Sequence, residues 1–213
     1  MNIHRIYGYI FKTFRVARMR RFLELIAPRP DESILDVGGT LGTWQNYLPI
    51  AQRLVLLNIP PVPALDEKYR ALGVEVVAGD ACALPYPDRE FDIVFSNSVI
   101  EHVGAWERQI EFAREARRVG RRLWIQTPAW EFPIEPHYLT PCVHFLPKTA
   151  RKKLARNFTV WGWLVRPQPA EVERRVENTR LVKAGEMRQL FPDCQILREK
   201  CCFLTKSFVA CRT

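Results

Sequence analysis

None of the six cysteines, at positions 82, 142, 194, 201, 202 and 211, has a partner at Cys-x-x-Cys spacing. That scatter argues against a zinc or disulfide framework and predicts reduced thiols, four of them in apolar or strand-like surroundings where Cys packs as a small hydrophobe. No apolar run is long enough to cross a bilayer, and the first residues lack the unbroken apolar stretch of a signal peptide, so the expected location is cytoplasmic. There are no internal repeats, no ordered series of stacking aromatics, and no Gly-x-Gly-x-x-Gly: positions 40 and 43, where a dinucleotide loop needs glycine, are both threonine. Acidic residues are in deficit, 23 against 32 Lys plus Arg, for a formal charge of +9. Such a balance suits an anionic partner or surface, or simple solubility, and carries no information about fold. With 47% hydrophobic residues in 213, the chain has enough apolar content for one domain with an ordinary core.

What is present has a clear rhythm. The stretch 1–27 carries Ile3, Ile6, Tyr7, Ile10, Phe11, Phe14, Met19, Phe22, Leu23 and Ile26 at helical spacing, with basic residues between them. This predicts an amphipathic segment of two helices or one bent helix, whose apolar face either packs on the core or touches an anionic membrane. Apolar runs at 33–37, 53–58, 74–78, 91–95 and 123–127 read as buried strands, separated by helical pieces at 44–50, 67–72 and 106–119. Alternation of this kind argues for a parallel sheet with helices on both faces, and ligands in such sheets collect beyond the carboxyl ends of the strands. Asp36, Asn58, Asp80 and Ser96 stand at those ends. The first strand runs into Gly38, Gly39 and Gly42, a turn that can approach a ligand closely.

Residues 128–170 break the rhythm with seven prolines, Glu135, His137, His144 and a basic run of Lys148, Arg151, Lys152, Lys153 and Arg156. The stretch reads as a cap inserted after the fifth strand. Helix is expected again over 171–190, followed by two final strands in a hairpin-like pair.

Three ordered motifs carry a resemblance. Ile34-Leu35-Asp36-Val37-Gly38-Gly39-Thr40-Leu41-Gly42, then Gly79-Asp80-Ala81 with Leu84-Pro85 and Phe91-Asp92, then Ile100-Glu101-His102-Val103 together resemble the class I S-adenosylmethionine-dependent methyltransferases, type 11 group. The likeness covers roughly residues 21 to 127 and the last two strands. It implies an α/β, Rossmann-like seven-stranded sheet with the last strand antiparallel, and S-adenosylmethionine as cofactor. Carried over by position, Gly38, Gly39 and Gly42 would lie along the aminocarboxypropyl part, with Asp36 fixing the turn. Asn58 would hold the ribose, Asp80 and the Ala81 N–H the adenine, and Ser96 would floor the site near the sulfonium. Two departures stand out: Thr40 occupies the motif's middle glycine, and Asn58 replaces a carboxylate.

Methyl transfer to a hydroxyl needs positioning and a base. His137, His102 and Glu135 are the candidates, each with a structural alternative as a capping, core or turn residue. No metal is expected, because Glu135, His137, Cys142 and His144 fit no common ligand spacing. The acceptor is expected to be a small molecule, a glycan or a lipid-linked glycan, with O-methylation favoured and nucleic acid ranked lower. A cofactor-binding scaffold without catalysis is the rival reading, motivated by Thr40 and Asn58.

Overall fold

The computed structural model describes residues 3–213, with side chains from Thr13 onward. In chain order the strands are β1 (Ser33–Val37), β2 (Arg53–Asn58), β3 (Val74–Ala78), β4 (Phe91–Asn97), β5 (Gly120–Pro128), a short ribbon of β6 (Ile134–Glu135) and β7 (Thr140–Pro141), then β8 (Gln195–Cys201) and β9 (Leu204–Arg212). Seven of them form one sheet in the order β3-β2-β1-β4-β5-β9-β8. The first five pair in parallel, and β9 lies antiparallel between β5 and β8. This is the expected Rossmann-like sheet with its antiparallel last strand.

The apolar runs explain the layering, since successive side chains of a strand face opposite sides. Leu35, Val55, Leu57, Val94, Leu123 and Ile125 face helices α4 (Trp106–Val119) and α8 (Ala184–Leu190) through Phe112, Met187 and Phe191. The other face presents Ile34, Leu54, Ile93, Phe95 and Trp124 to helix α1 (Ile3–Ile26) and to Trp44 at the end of helix α2 (Leu41–Trp44).

The N-terminal segment is one continuous helix. Met19, Phe22 and Ile26 are buried at helical spacing, and the Phe22 ring stands edge-on to Trp44, Phe95 and Trp124 at centroid distances of 5.9, 5.0 and 5.7 Å. Arg18 is buried with them because Glu199 of β8 accepts from its guanidinium at 2.7 Å. Core packing therefore accounts for this half of the apolar stripe. The side chains of residues 3–12, the other half of the predicted face, lie outside the described residues.

Three elements depart from expectation by more than a few residues. The helix placed at 44–50 is α2 at 41–44 followed by turns, and Pro49 disfavours helical backbone at Leu48. The helix expected over 171–190 divides into α7 (Pro169–Asn178) and α8. Between them Val182 bridges to Ala129, and the Arg180 N–H donates to the Glu101 carbonyl at 2.8 Å. The cap also runs on to Asn178 rather than stopping at 170, since α7 contributes to its small core. There Val172 and Val176 join Tyr138, Val143, Ala155 and Trp161, around helices α5 (Lys148–Phe158) and α6 (Val160–Val165). Part of the basic run is answered within the cap: Lys148 pairs with Glu177, and Lys152 with Glu173 and Glu177.

Candidate active site

The loop after β1 is shaped by its own neighbours. Gly38 takes φ +77° and donates its N–H to the Leu57 carbonyl at 2.7 Å. A Cβ there would sit 2.4 Å from a Val99 methyl, and one on Gly39 would sit 2.0 Å from the Asp36 carboxylate. Both glycines are thus required by packing and backbone angle. Gly42 is not, since the nearest atom its Cβ would meet is the Thr40 hydroxyl at 3.8 Å. Thr40 itself has φ −128° and ψ 150°, extended backbone open to any residue, so its departure from the motif carries no strain.

Asp36 is buried beneath the loop. Its Oδ2 accepts from the Trp44 indole N–H at 2.6 Å, while Oδ1 has no partner among the described residues. Burial raises its pKa to about 7 against the lowering effect of the Trp44 bond. Asn58, at the end of β2, donates its Nδ2 to the Gly39 carbonyl at 2.6 Å and so latches the loop from the far side. Its Oδ1 is left to accept.

Asp80 lies half-exposed at the rim after β3. Oδ1 accepts from the Cys82 N–H at 2.9 Å, and Arg108 on α4 donates to both oxygens at 2.8 and 2.7 Å. The Cys82 N–H and Arg108 together hold this carboxyl below its usual range. Ala81 follows, partly buried against the core. Ser96 corrects an expectation: it is wholly buried, and its hydroxyl donates to the Val37 carbonyl at 2.9 Å. It ties β4 to β1 under the loop and does not line an open floor. Val99, packed on Gly38, is the side chain that closes this side.

The three candidate catalytic residues come together. His137 Nδ1 lies 2.6 Å from Glu135 Oε1, and His137 Nε2 lies 2.9 Å from His102 Nε2. The second Glu135 oxygen accepts from the Tyr138 N–H at 2.7 Å. Burial works against a charged His137, but the hydrogen bond and charge of Glu135 outweigh it and raise its pKa. His102 is pushed down to about 4, first by desolvation and then by the neighbouring His137, although the residue keeps an exposed surface.

Next to them lies a residue the sequence reading passed over. Glu101 is fully buried, accepts from the Thr127 hydroxyl at 3.0 Å through Oε2, and leaves Oε1 unpartnered among the described residues. Burial raises it to about 7. An acid framed by Ile100 and Val103 was the available signal; nothing in the spacing linked Arg108 to Asp80.

Glu135 also lines a cavity of about 510 Å³ between the cap and the start of α4, with Trp106, Trp130, Tyr138, Arg151 and Arg180. Cys142 is exposed, and His144 is engaged with the Trp130 carbonyl at 2.9 Å, so neither joins His137.

Residues 35–122 match the family model described as a methyltransferase domain. Over that stretch the chain resembles the class I S-adenosylmethionine-dependent methyltransferases. Among curated proteins, the Bos taurus protein named probable tRNA methyltransferase 9B is 32% identical over 117 residues. That stretch spans 54% of this chain and 25% of that protein, so the match covers about a quarter of the relative's length. Two solved structures share the fold at 14% identity. The [4+2]-cyclase SpnF has a TM-score of 0.53 and covers 86% of this chain and 57% of its own. PigF with S-adenosylhomocysteine has a TM-score of 0.52 and covers 95% of this chain and 65% of its own.

Proposed function

We propose that this chain transfers a methyl group from S-adenosylmethionine to a hydroxyl of a small or glycan-like acceptor held under the cap. The observation that carries the reading is positional. The loop at 38–42, Asp80 and the Glu101–His102 turn all stand beyond the carboxyl ends of β1, β3 and β4, inside the matched family region. The residues fit the cofactor: Asp36 keeps an oxygen without a donor, Asp80 keeps lone pairs beyond those Arg108 uses, and the Asn58 Oδ1 remains to accept. The cofactor supplies an electrophilic methyl on sulfur. Gly38 and Gly39 shape the turn that would hold its amino-acid part, Asn58 would accept from a ribose hydroxyl, and Asp80 with the Ala81 N–H would read the adenine edge.

The acceptor's proton is assigned to the His102–His137–Glu135 chain. With His137 Nδ1–H donating to Glu135, its Nε2 accepts from His102 Nε2–H, and His102 Nδ1 is left as the base. A neutral His102 at physiological pH follows from its lowered pKa.

Calorimetry with S-adenosylmethionine and S-adenosylhomocysteine tests the cofactor, and transfer of labelled methyl across a panel of hydroxyl acceptors tests the chemistry. Absence of binding at millimolar cofactor would sink the reading. A second reading, a nucleic-acid acceptor, is favoured by the +9 charge and by the name of the curated relatives. It requires RNA or DNA affinity that falls steeply with salt; no binding at low salt removes it. Peripheral contact of α1 with anionic membranes is a separate proposal, resting on the basic residues of 3–26. Flotation without preference for anionic vesicles would count against it.

A further inference from the structure

We propose that Glu101, His102 and His137 bind one divalent transition-metal ion of zinc type, with Glu135 holding His137 in position. One ligand atom from each of the three lies within 4.8 Å of the others. The independent observation is Glu101 Oε1, a fully buried carboxylate oxygen with no hydrogen-bond partner among the described residues. A bare acceptor at that depth is costly unless something completes it. Its other oxygen is fixed by Thr127, so the group cannot turn away freely.

The donor set is two imidazole nitrogens and one carboxylate oxygen, a set used by zinc enzymes that keep a fourth position open. The two Nε2 atoms are 2.9 Å apart. Two nitrogens on one tetrahedral zinc, at bonds of about 2.0–2.1 Å, stand about 3.3 Å apart. The required opening is a few tenths of an ångström, within the reach of side-chain rotation. The surrounding groups favour it. Glu135 accepts the His137 Nδ1–H at 2.6 Å and leaves the Nε2 lone pair toward His102 Nε2, the arrangement in which a carboxylate orients a ligand histidine. His102 offers its Nε2 lone pair once its proton resides on Nδ1. Glu101 and His102 sit on the turn after β4 and His137 sits in the cap, so the ion would clamp the cap to the edge of the sheet. Metal binding here goes beyond the methyl-transfer reading and does not depend on it; an ion on both Nε2 atoms would replace the His102–His137 hydrogen bond, so His102 acts as the base only in the metal-free protein.

The test uses the untagged full chain, stripped with chelator and titrated with Co²⁺ and Zn²⁺. The expected result is one equivalent bound, with visible d–d absorption for Co²⁺. Both signals should vanish in His102→Ala and His137→Ala and persist in His144→Ala. Glu135→Gln should weaken affinity about 10–100-fold. Circular dichroism confirms that each variant is folded; His102, exposed at the surface, is the safest of them. No Co²⁺ bands and no zinc retained after dialysis would overturn the proposal, as would retention unchanged in both histidine variants. S-adenosylmethionine binding, measured in the same proteins, separates the two ideas: binding without metal leaves methyl transfer standing and His102 as a free base.

Discussion

Replacing Asp36 by asparagine should change the pH dependence of stability in a direction set by burial. The folded carboxyl titrates at about 7 against an ordinary value of 3.8. Between those values the folded state holds a proton that the unfolded chain has lost. A raised acid therefore contributes most below 3.8, loses stability as pH rises through the window, and is level above about 7. At about 1.4 kcal/mol per pH unit, the loss sums to about 4 kcal/mol as an upper figure. The Asp36→Asn change removes the titration, while the new amide oxygen can still accept from the Trp44 indole. The new amide N–H, placed where Oδ1 has no partner, costs about 1–3 kcal/mol at every pH. The informative quantity is thus the change in the gap between the two proteins. Urea unfolding at pH 5, 6, 7 and 8 should show the variant gaining on the wild type as pH rises. With a slope of about 2 kcal/mol/M, the relative midpoint moves by about 1–2 M. Glu101, also raised to about 7, contributes equally to both proteins and cancels. Parallel curves, with a gap that does not change with pH, would refute the account of Asp36 as a carboxyl held protonated by burial.

Gly38→Ala combines a left-handed backbone angle with a methyl driven into Val99. It should cost about 2–5 kcal/mol in a thermal melt, and Gly38→Ala with Val99→Ala should recover the steric part. Asp80→Ala removes a half-exposed ion pair with Arg108, so stability should move by no more than about 1 kcal/mol. The same change should lower S-adenosylmethionine affinity at least about tenfold by calorimetry; unchanged affinity would remove Asp80 from the site. Phe22→Ala empties the contact among Trp44, Phe95 and Trp124. It should cost about 3–5 kcal/mol by urea unfolding, and a small effect would mean that α1 is not anchored there.

The parallel sheet was legible because its strands are short apolar runs bounded by turn residues, a local pattern that needs no knowledge of partners. The site's position was legible for the same reason: Asp36, Asn58 and Asp80 stand where those runs end. Helix boundaries were less so. The break between α7 and α8 depends on Val182 meeting Ala129 and on Arg180 reaching the Glu101 carbonyl, contacts between residues distant in the chain. Ser96 shows the limit at a single residue. Its place at the end of β4 was readable, but its pairing beside Val37, whose carbonyl takes its hydroxyl, follows from sheet register.

The chain alone determined fold class, family likeness and the meeting of a glycine loop with an acidic rim, since these rest on period, spacing and order along the sequence. Tertiary structure decided how each side chain is employed. Whether Asp36 is charged depends on its depth, whether Asp80 is bare depends on Arg108, and whether Glu101 matters depends on a cap that brings His137 to His102. Burial and long-range pairing set those properties, and neither is a function of nearby sequence.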